Sequence, residues 1–285
     1  MKLQSIRGFL LNPWVNFLLL AILVATTGLM LTRMRQLKRM TASMSSSAVA
    51  ANSLSSKYNR VSPYDIATQL LCKAYQRFGV PRKGLIHIGA HQAEELPVYK
   101  ALRLPHVLWV EANPKLAKPL GERIKTHAAS RLAIFAASDT NGTAELNMPL
   151  LQPNVASLLP LKEMIRINPD SKQQEKVTVQ TKRLDDVLAS VGQEDTYNVM
   201  VLDIQGAELQ ALKGAVKTLA HVDAIVTEVN YGALYEGAGL IQMLDTFLLQ
   251  HGFTRVDTMT TFSNLEGDAL YLKKRFTEKI TTPSA

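Results

Sequence analysis

The sequence predicts an α/β domain on a doubly wound, mostly parallel sheet, preceded by an N-terminal transmembrane helix. Three observations carry this. From residue 82 onward, short β-branched runs alternate with helical patterns, which implies βαβ units. Two of these runs end in a polar residue and a glycine just before a helix: G-L-I-H-I-G-A-H-Q-A-E-E over 84–95 and V-M-V-L-D-I-Q-G-A-E-L-Q-A-L-K-G-A over 199–215. Sheets of this kind take ligands in a crevice at their strand C-termini. The third observation is residues 8–32, 25 residues without a charge.

The uncharged run comes first in the chain. A helix of about 20 residues spans the hydrocarbon core of a bilayer, so a span over about 9–32 is long enough. A secretory signal peptide has a shorter apolar region, roughly 7–15 residues, and a small-residue cleavage site. This run instead stops at Thr32-Arg33-Met34-Arg35, and Pro13 and Trp14 suit an interfacial start. An acid-free, Ser-rich, basic N-terminus also resembles an organellar transit segment, but such a segment is amphipathic, whereas this one is apolar on all sides. Arg33, Arg35, Lys38 and Arg39 follow the span, against Lys2, Arg7 and the amino terminus before it. The positive-inside rule thus leans the large domain of a single-pass protein towards the cytoplasm. The reading divides the chain into a membrane anchor with its basic flank (1–40), a Ser/Ala-rich linker (41–61) and a globular domain (62–285) with its core over about 82–274.

Within the domain, Ser62 as N-cap and Pro63 in the first turn open a helix that Gly79 stops. The pattern then predicts strand 85–88, helix 94–102, strand 107–111, helix 114–125 and strand 131–137. Strand 199–204, helix 206–219, strand 222–229 and helix 240–250 follow, with 253–257 and 269–272 as a closing hairpin. Residues 143–187 interrupt the alternation and read as extra strands or a lid inserted between the third and fourth parallel strands.

Charge narrows the function. Of the 285 residues, 32 are Lys or Arg and 24 Asp or Glu, net +8. All eight excess positives fall in residues 1–64, which hold no acid, so the domain is close to neutral and the high pI says little about nucleic acid. No basic stripe interleaved with aromatics follows, so nucleic acid is not an expected partner. The single cysteine, Cys72, excludes an internal disulfide framework and a multi-Cys zinc site, and reads as a small apolar residue on a helix.

The candidate site gathers at predicted strand ends. Gly89, in Ile88-Gly89-Ala90-His91, lets backbone approach a ligand closely, although a structural turn is an equal reading, and G-x-G-x-x-G is absent, which disfavours a nicotinamide oxidoreductase. Glu111 ends the second strand, about 22 residues after that turn, where a carboxylate can accept from both ribose hydroxyls; capping the helix after Pro114 is the competing role. Asp139, in A-S-D-T-N-G, lies near the adenine edge or makes an Asx-turn. Asp203 ends the fourth strand, with Glu228 and Asn230 beside it at the end of the fifth. Two carboxylates and an amide suit Mg²⁺, or one carboxylate suits a general base. His91 sits in the first turn, where it could meet cofactor or substrate, while His87 reads as a hydrogen-bonded core residue. The histidines form no metal set. Glu208 suits the first turn of its helix, and Asp185-Asp186 reads as a cap for a short helix.

Taken together, I-H-I-G-A-H, V-E-A-N-P, A-A-S-D-T-N-G, L-D-I-Q-G-A-E-L-Q-A-L-K-G-A, E-V-N-Y and G-D-A-L-Y, in this order over 82–274, resemble the FkbM family of S-adenosylmethionine-dependent methyltransferases. The resemblance implies a Rossmann-like methyltransferase sheet with an antiparallel last strand. It also implies S-adenosylmethionine as cofactor and a hydroxyl of a sugar, lipid or small metabolite as acceptor. By the same resemblance Gly89 and Ala90 approach the methionine part, Glu111 the ribose, Asp139 the adenine and Asp203 the reacting centre. His87 and Ala93 stand where the family usually carries Asp and often Gly, with Glu94 or Glu95 as substitutes for the missing acid. These departures motivate a second reading, a membrane-tethered module that keeps the fold without catalysis.

Overall fold

The computed structural model describes residues 66–260 and 265–278. The expected anchor, its basic flank, the linker and the Ser62–Pro63 helix start lie outside the described residues. Among the described residues no helix is long and apolar enough to cross a membrane.

The main sheet begins with β1 (Leu85–Ile88), β2 (Val107–Glu111) and β3 (Ser130–Ile134), continues with β7 (Val199–Leu202) and β8 (Ala224–Asn230), and closes with β9 (Phe253–Thr260) and β10 (Glu266–Lys273). Their order across it is β3-β2-β1-β7-β8-β10-β9. The pairs β3–β2, β2–β1, β1–β7 and β7–β8 are parallel. Strand β10 inserts between β8 and β9 and runs antiparallel to both. This is the doubly wound sheet with an antiparallel last strand that the sequence and its resemblance imply.

The strands read as nearly continuous apolar runs because both faces are covered. Ile86, Ile88, Met200, Leu202, Ile225 and Val229 enter one core cluster, while Leu85, Val199, Val201, Ala224 and Val226 enter the other, as strand alternation requires. On the first face pack α5 (Leu184–Ser190), α6 (Glu208–Lys213), α7 (Val216–Leu219) and α8 (Ile241–Gln250), through residues such as Leu188, Leu212, Leu219 and Leu244. On the second lie α1 (Ile66–Gln76), α2 (Leu96–Ala101) and α3 (Ala117–Ile124), through Leu70, Leu71, Tyr99 and Leu120; Cys72 packs against this cluster.

Three expectations change. The run 131–137 is not one strand: β3 ends at Ile134, and β4 (Ala136–Ala137) leaves the main sheet to pair with β6 (Gln174–Lys182). With β5 (Gly142–Pro149), antiparallel to β6, these make a second, three-stranded sheet, and α4 (Glu163–Ile167) follows β5. The interruption is therefore extra strands, as one of its two readings had it. The run 206–219 is two helices: the backbone leaves helical geometry at Ala215 (φ −121, ψ 21), next to Gly214, where a Cβ would meet the Ser138 carbonyl oxygen at 1.9 Å. Asp185 is buried and caps α7 instead of its own helix: its carboxylate accepts from Lys217 N–H, Thr218 N–H and the Thr218 hydroxyl at 3.0, 2.8 and 2.8 Å.

Candidate active site

Strand order reverses between β1 and β7, and the two strand ends are neighbours, Ile88 beside Leu202. A crevice of about 240 Å³ opens there, its polar wall including Glu94, Glu95, Glu111, Asn113, Asp203 and Gln205 and its apolar wall Phe135, Ala137, Leu146 and Leu158. A topological switch point is where doubly wound sheets place ligands.

Gly89 lines this crevice with φ +92. A Cβ there would stand 1.8 Å from the backbone oxygen of Asp203, so the approach of the two strand ends itself requires glycine. The N–H groups of Gly89 and Ala90 both donate to Val110 O, at 2.9 and 3.0 Å, which stitches the turn to β2. Ala90 points into the core and contributes backbone to the turn, not a wall to the crevice. His91 and Ala93 follow with positive φ of 41 and 55, conformations that side chains adopt at a cost. Glycine would sit at the Ala93 position without that cost.

Glu111 ties the two turns together. One oxygen accepts His91 N–H at 2.8 Å and the other Asn113 N–H at 2.7 Å. Burial raises its pKa, and these two N–H donors oppose the rise. The turn after Glu111 is capped by another side chain, since Asn113 Oδ1 accepts Lys115 N–H at 3.0 Å at the start of the 3-10 turn Pro114–Leu116. The His91 ring is half-buried with Nδ1 2.8 Å from Glu94 Oε1, and this bond is the main reason its pKa is raised. His87 is a core residue: Nδ1 meets the Tyr99 hydroxyl at 2.8 Å, the ring stacks on Trp109, and burial lowers its pKa to about 4.

Asp203 is exposed at the crevice, and Gln205 links it to the end of β8. Gln205 Nε2 donates to Asp203 Oδ1 at 2.7 Å and to Glu228 Oε2 at 2.9 Å. Burial, then the neighbouring Asp203 and Glu208, push the Glu228 carboxyl well above the usual carboxylate range. Asn230 is fully buried with neither side-chain polar atom partnered, and Glu228 Oε1 is likewise unpartnered. Both residues lie outside the crevice wall; Gln205 joins Glu228 to it. Glu208 stands in the first turn of α6, as expected, and is buried there: Oε1 accepts from Ile204 and Gly206 N–H, and burial raises its pKa to about 7.

The structure does not bring Asp139 to the crevice. Because the chain leaves the main sheet after Ile134, this turn belongs to the second sheet, where the Asp139 backbone oxygen accepts Arg183 Nη1 at 2.8 Å. Nor do Asp203, Glu228 and Asn230 gather as a metal set among the described residues: an amide N–H₂ donor bridges the two carboxylates. Sequence reasoning passed over Gln205, Asn113 and Ser157. The D-I-Q-G order hinted at the first, and the cap position before Pro114 at the second. Nothing in the sequence marked Ser157, whose hydroxyl donates to Gln205 O from 48 residues away.

The sequence profile of the methyltransferase FkbM domain matches residues 87–255, which takes in every one of these site residues. The chain belongs to the FkbM methyltransferase family. It is by that membership an S-adenosylmethionine-dependent methyltransferase, so the enzyme reading holds over the module without catalysis. The 2-O-methyltransferase NoeI of Sinorhizobium fredii is 28% identical over 203 residues, 67% of this chain and 79% of that protein. Among solved structures, an S-adenosylmethionine-dependent methyltransferase from Clostridium acetobutylicum aligns at TM-score 0.42 and 8% identity over 79% of this chain and 99% of its own. Magnesium protoporphyrin IX methyltransferase from Synechocystis, with bound S-adenosylmethionine, aligns at TM-score 0.41 and 8% identity over 73% and 79%.

Proposed function

We propose that this FkbM enzyme methylates a hydroxyl oxygen of a sugar, lipid-linked or small-metabolite acceptor, tethered to a membrane through residues 9–32. The observation that carries the site assignment is Glu111. It ends β2 in the crevice and leaves the capping role to Asn113. A carboxylate has about four lone-pair sites, and two backbone donors leave acceptor capacity on each oxygen for vicinal ribose hydroxyls. The residues therefore fit the cofactor. Glu111 would hold the ribose and the turn at Gly89 and His91 the methionine part, with Glu94 and Glu95 for its amino group. The apolar wall at Phe135 and Leu146 offers a surface for the base, the place first given to Asp139.

When bound, S-adenosylmethionine supplies a methyl group on a sulfonium, already a good leaving group. What remains for the protein is alignment and removal of the acceptor proton. Asp203, exposed at the crevice and fixed by Gln205, is the proton acceptor in this reading. Support for a hydroxyl acceptor comes from the relative NoeI, named as a 2-O-methyltransferase. Asp203→Asn should cut methyl transfer by at least about a hundredfold, the low end of general-base contributions, while cofactor affinity stays within a few-fold. The assay is untargeted profiling of methylated products with full-length enzyme, cofactor and a panel of glycosides and lipid extracts. Undiminished product from Asp203→Asn would remove it from the mechanism.

A further inference from the structure

We propose that Gln205 is a positioning residue of the methyl-transfer site, a clamp that sets the Asp203 carboxylate against Glu228 and takes its own place from Tyr235 and Ser157. A carboxamide has two N–H donors and one acceptor oxygen. Here both acids lie on the donor side, at 2.7 and 2.9 Å, and the Tyr235 hydroxyl donates to the oxygen, so every polar atom of the side chain is used and its orientation has no alternative. Its backbone is fixed as well. Ser157 Oγ donates to Gln205 O at 2.7 Å, and Ser157 is itself pinned beside β5 by two backbone bonds with Asn147, at 2.8 and 3.1 Å. These contacts hold Gln205 at φ +56, a conformation a residue with a side chain adopts at a cost, so strain is retained where the carboxamide meets the two acids.

The clamp matters because of what surrounds the two acids. Glu228 faces Asp203 from β7 and Glu208 from the start of α6, with Tyr235 on the loop beyond β8. From β10, Glu266 lies opposite Asn230 and Asp268 opposite Glu228. On the β1 side, His87 and His91 both feel Asp203, and Glu94 and Glu111 lie near His91. In this acid-rich setting, donors on a carboxylate favour its charged form. The carboxamide N–H₂ fixes both carboxyl groups with one pair of donors, which sets the orientation in which Asp203 meets a proton at the crevice.

The test is a carboxyl titration of the full-length chain by carbon-13 NMR, with label at the Asp γ and Glu δ carbons, on parent, Gln205→Leu, Gln205→Glu and Tyr235→Phe. Gln205→Leu removes both donors and should raise the titration of the Asp203–Glu228 pair by about one pH unit or more. Gln205→Glu adds a like charge in nearly the same volume and should raise it at least as far. Tyr235→Phe frees the carboxamide without touching the pair and should give a smaller rise in the same direction. If Gln205→Leu fails to fold, the other two variants decide. Folded variants that titrate with the parent would overturn the clamp. The inference rests on Asp203 as proton acceptor, yet the titration needs no acceptor substrate. An unshifted pair therefore overturns the clamp alone, whereas normal product from Asp203→Asn overturns the base assignment and leaves the titration standing.

Discussion

Glu111 does two jobs with one carboxylate, and the two can be separated. Sequence alone placed it at a strand end with few apolar contacts, which suggests that its loss would leave folding nearly intact. The structure buries it and hangs the turns after β1 and β2 on its two oxygens. Glu111→Ala should therefore lower the melting temperature by several degrees as well as weaken cofactor binding. Charge-assisted hydrogen bonds to the ribose are worth roughly 1.5–3 kcal/mol each, so binding should weaken at least tenfold. Glu111→Gln keeps an acceptor for one of the two N–H groups and should lose less stability, but still about tenfold in affinity. Calorimetry with S-adenosylmethionine beside a melting curve reads both, and normal affinity in Glu111→Gln would sink the ribose role. At this scale the sequence named the acids and missed their partners. A strand followed by Asp or Glu shows on the page, but the amide and hydroxyl that orient it arrive from other elements.

Elements were legible wherever a repeating apolar pattern decided them. The seven main-sheet strands and most helices were visible because burial on two faces leaves long β-branched runs. The breaks were not visible, because the groups packed at them are distant in sequence. At the α6–α7 corner Gly214 packs against the Ser138 carbonyl, 76 positions away, and Asp185 caps α7 from another helix. Gly214 has φ −80, so an alanine there suffers no backbone strain, and any loss is steric. A Cβ placed 1.9 Å from the Ser138 oxygen forces the α6–α7 corner away from the second sheet. Overpacking typically costs about 1–3 kcal/mol and occasionally more, and because backbone lies on both sides the upper end is expected. Chemical denaturation of Gly214→Ala measures it. Stability equal to the parent would mean that the corner moves freely and that the close approach to Ser138 imposes no need for glycine.

For the whole molecule the charge map separates two tasks. Every excess positive charge lies in residues 1–64, and the domain beyond carries equal numbers of acids and bases, so the stretch proposed to meet a membrane is distinct from the methyltransferase domain. Residues 8–32, uncharged throughout, are long enough to cross a bilayer, where about 20 apolar residues suffice. The flanking Arg33, Arg35, Lys38 and Arg39 could instead hold the chain to anionic lipid by charge alone, and the two attachments respond differently to salt. At about 1 M salt the screening length falls to about 3 Å, which releases a charge-held protein but not a spanning helix. The full-length enzyme should therefore stay with the membrane fraction in high salt and alkaline wash, and leave it only in detergent. A chain lacking residues 1–60 should appear in the soluble fraction with its cofactor affinity intact. Protease treatment of sealed vesicles then reports the side: protection of the domain would reverse the orientation that the basic flank favours, and release by salt would remove the span.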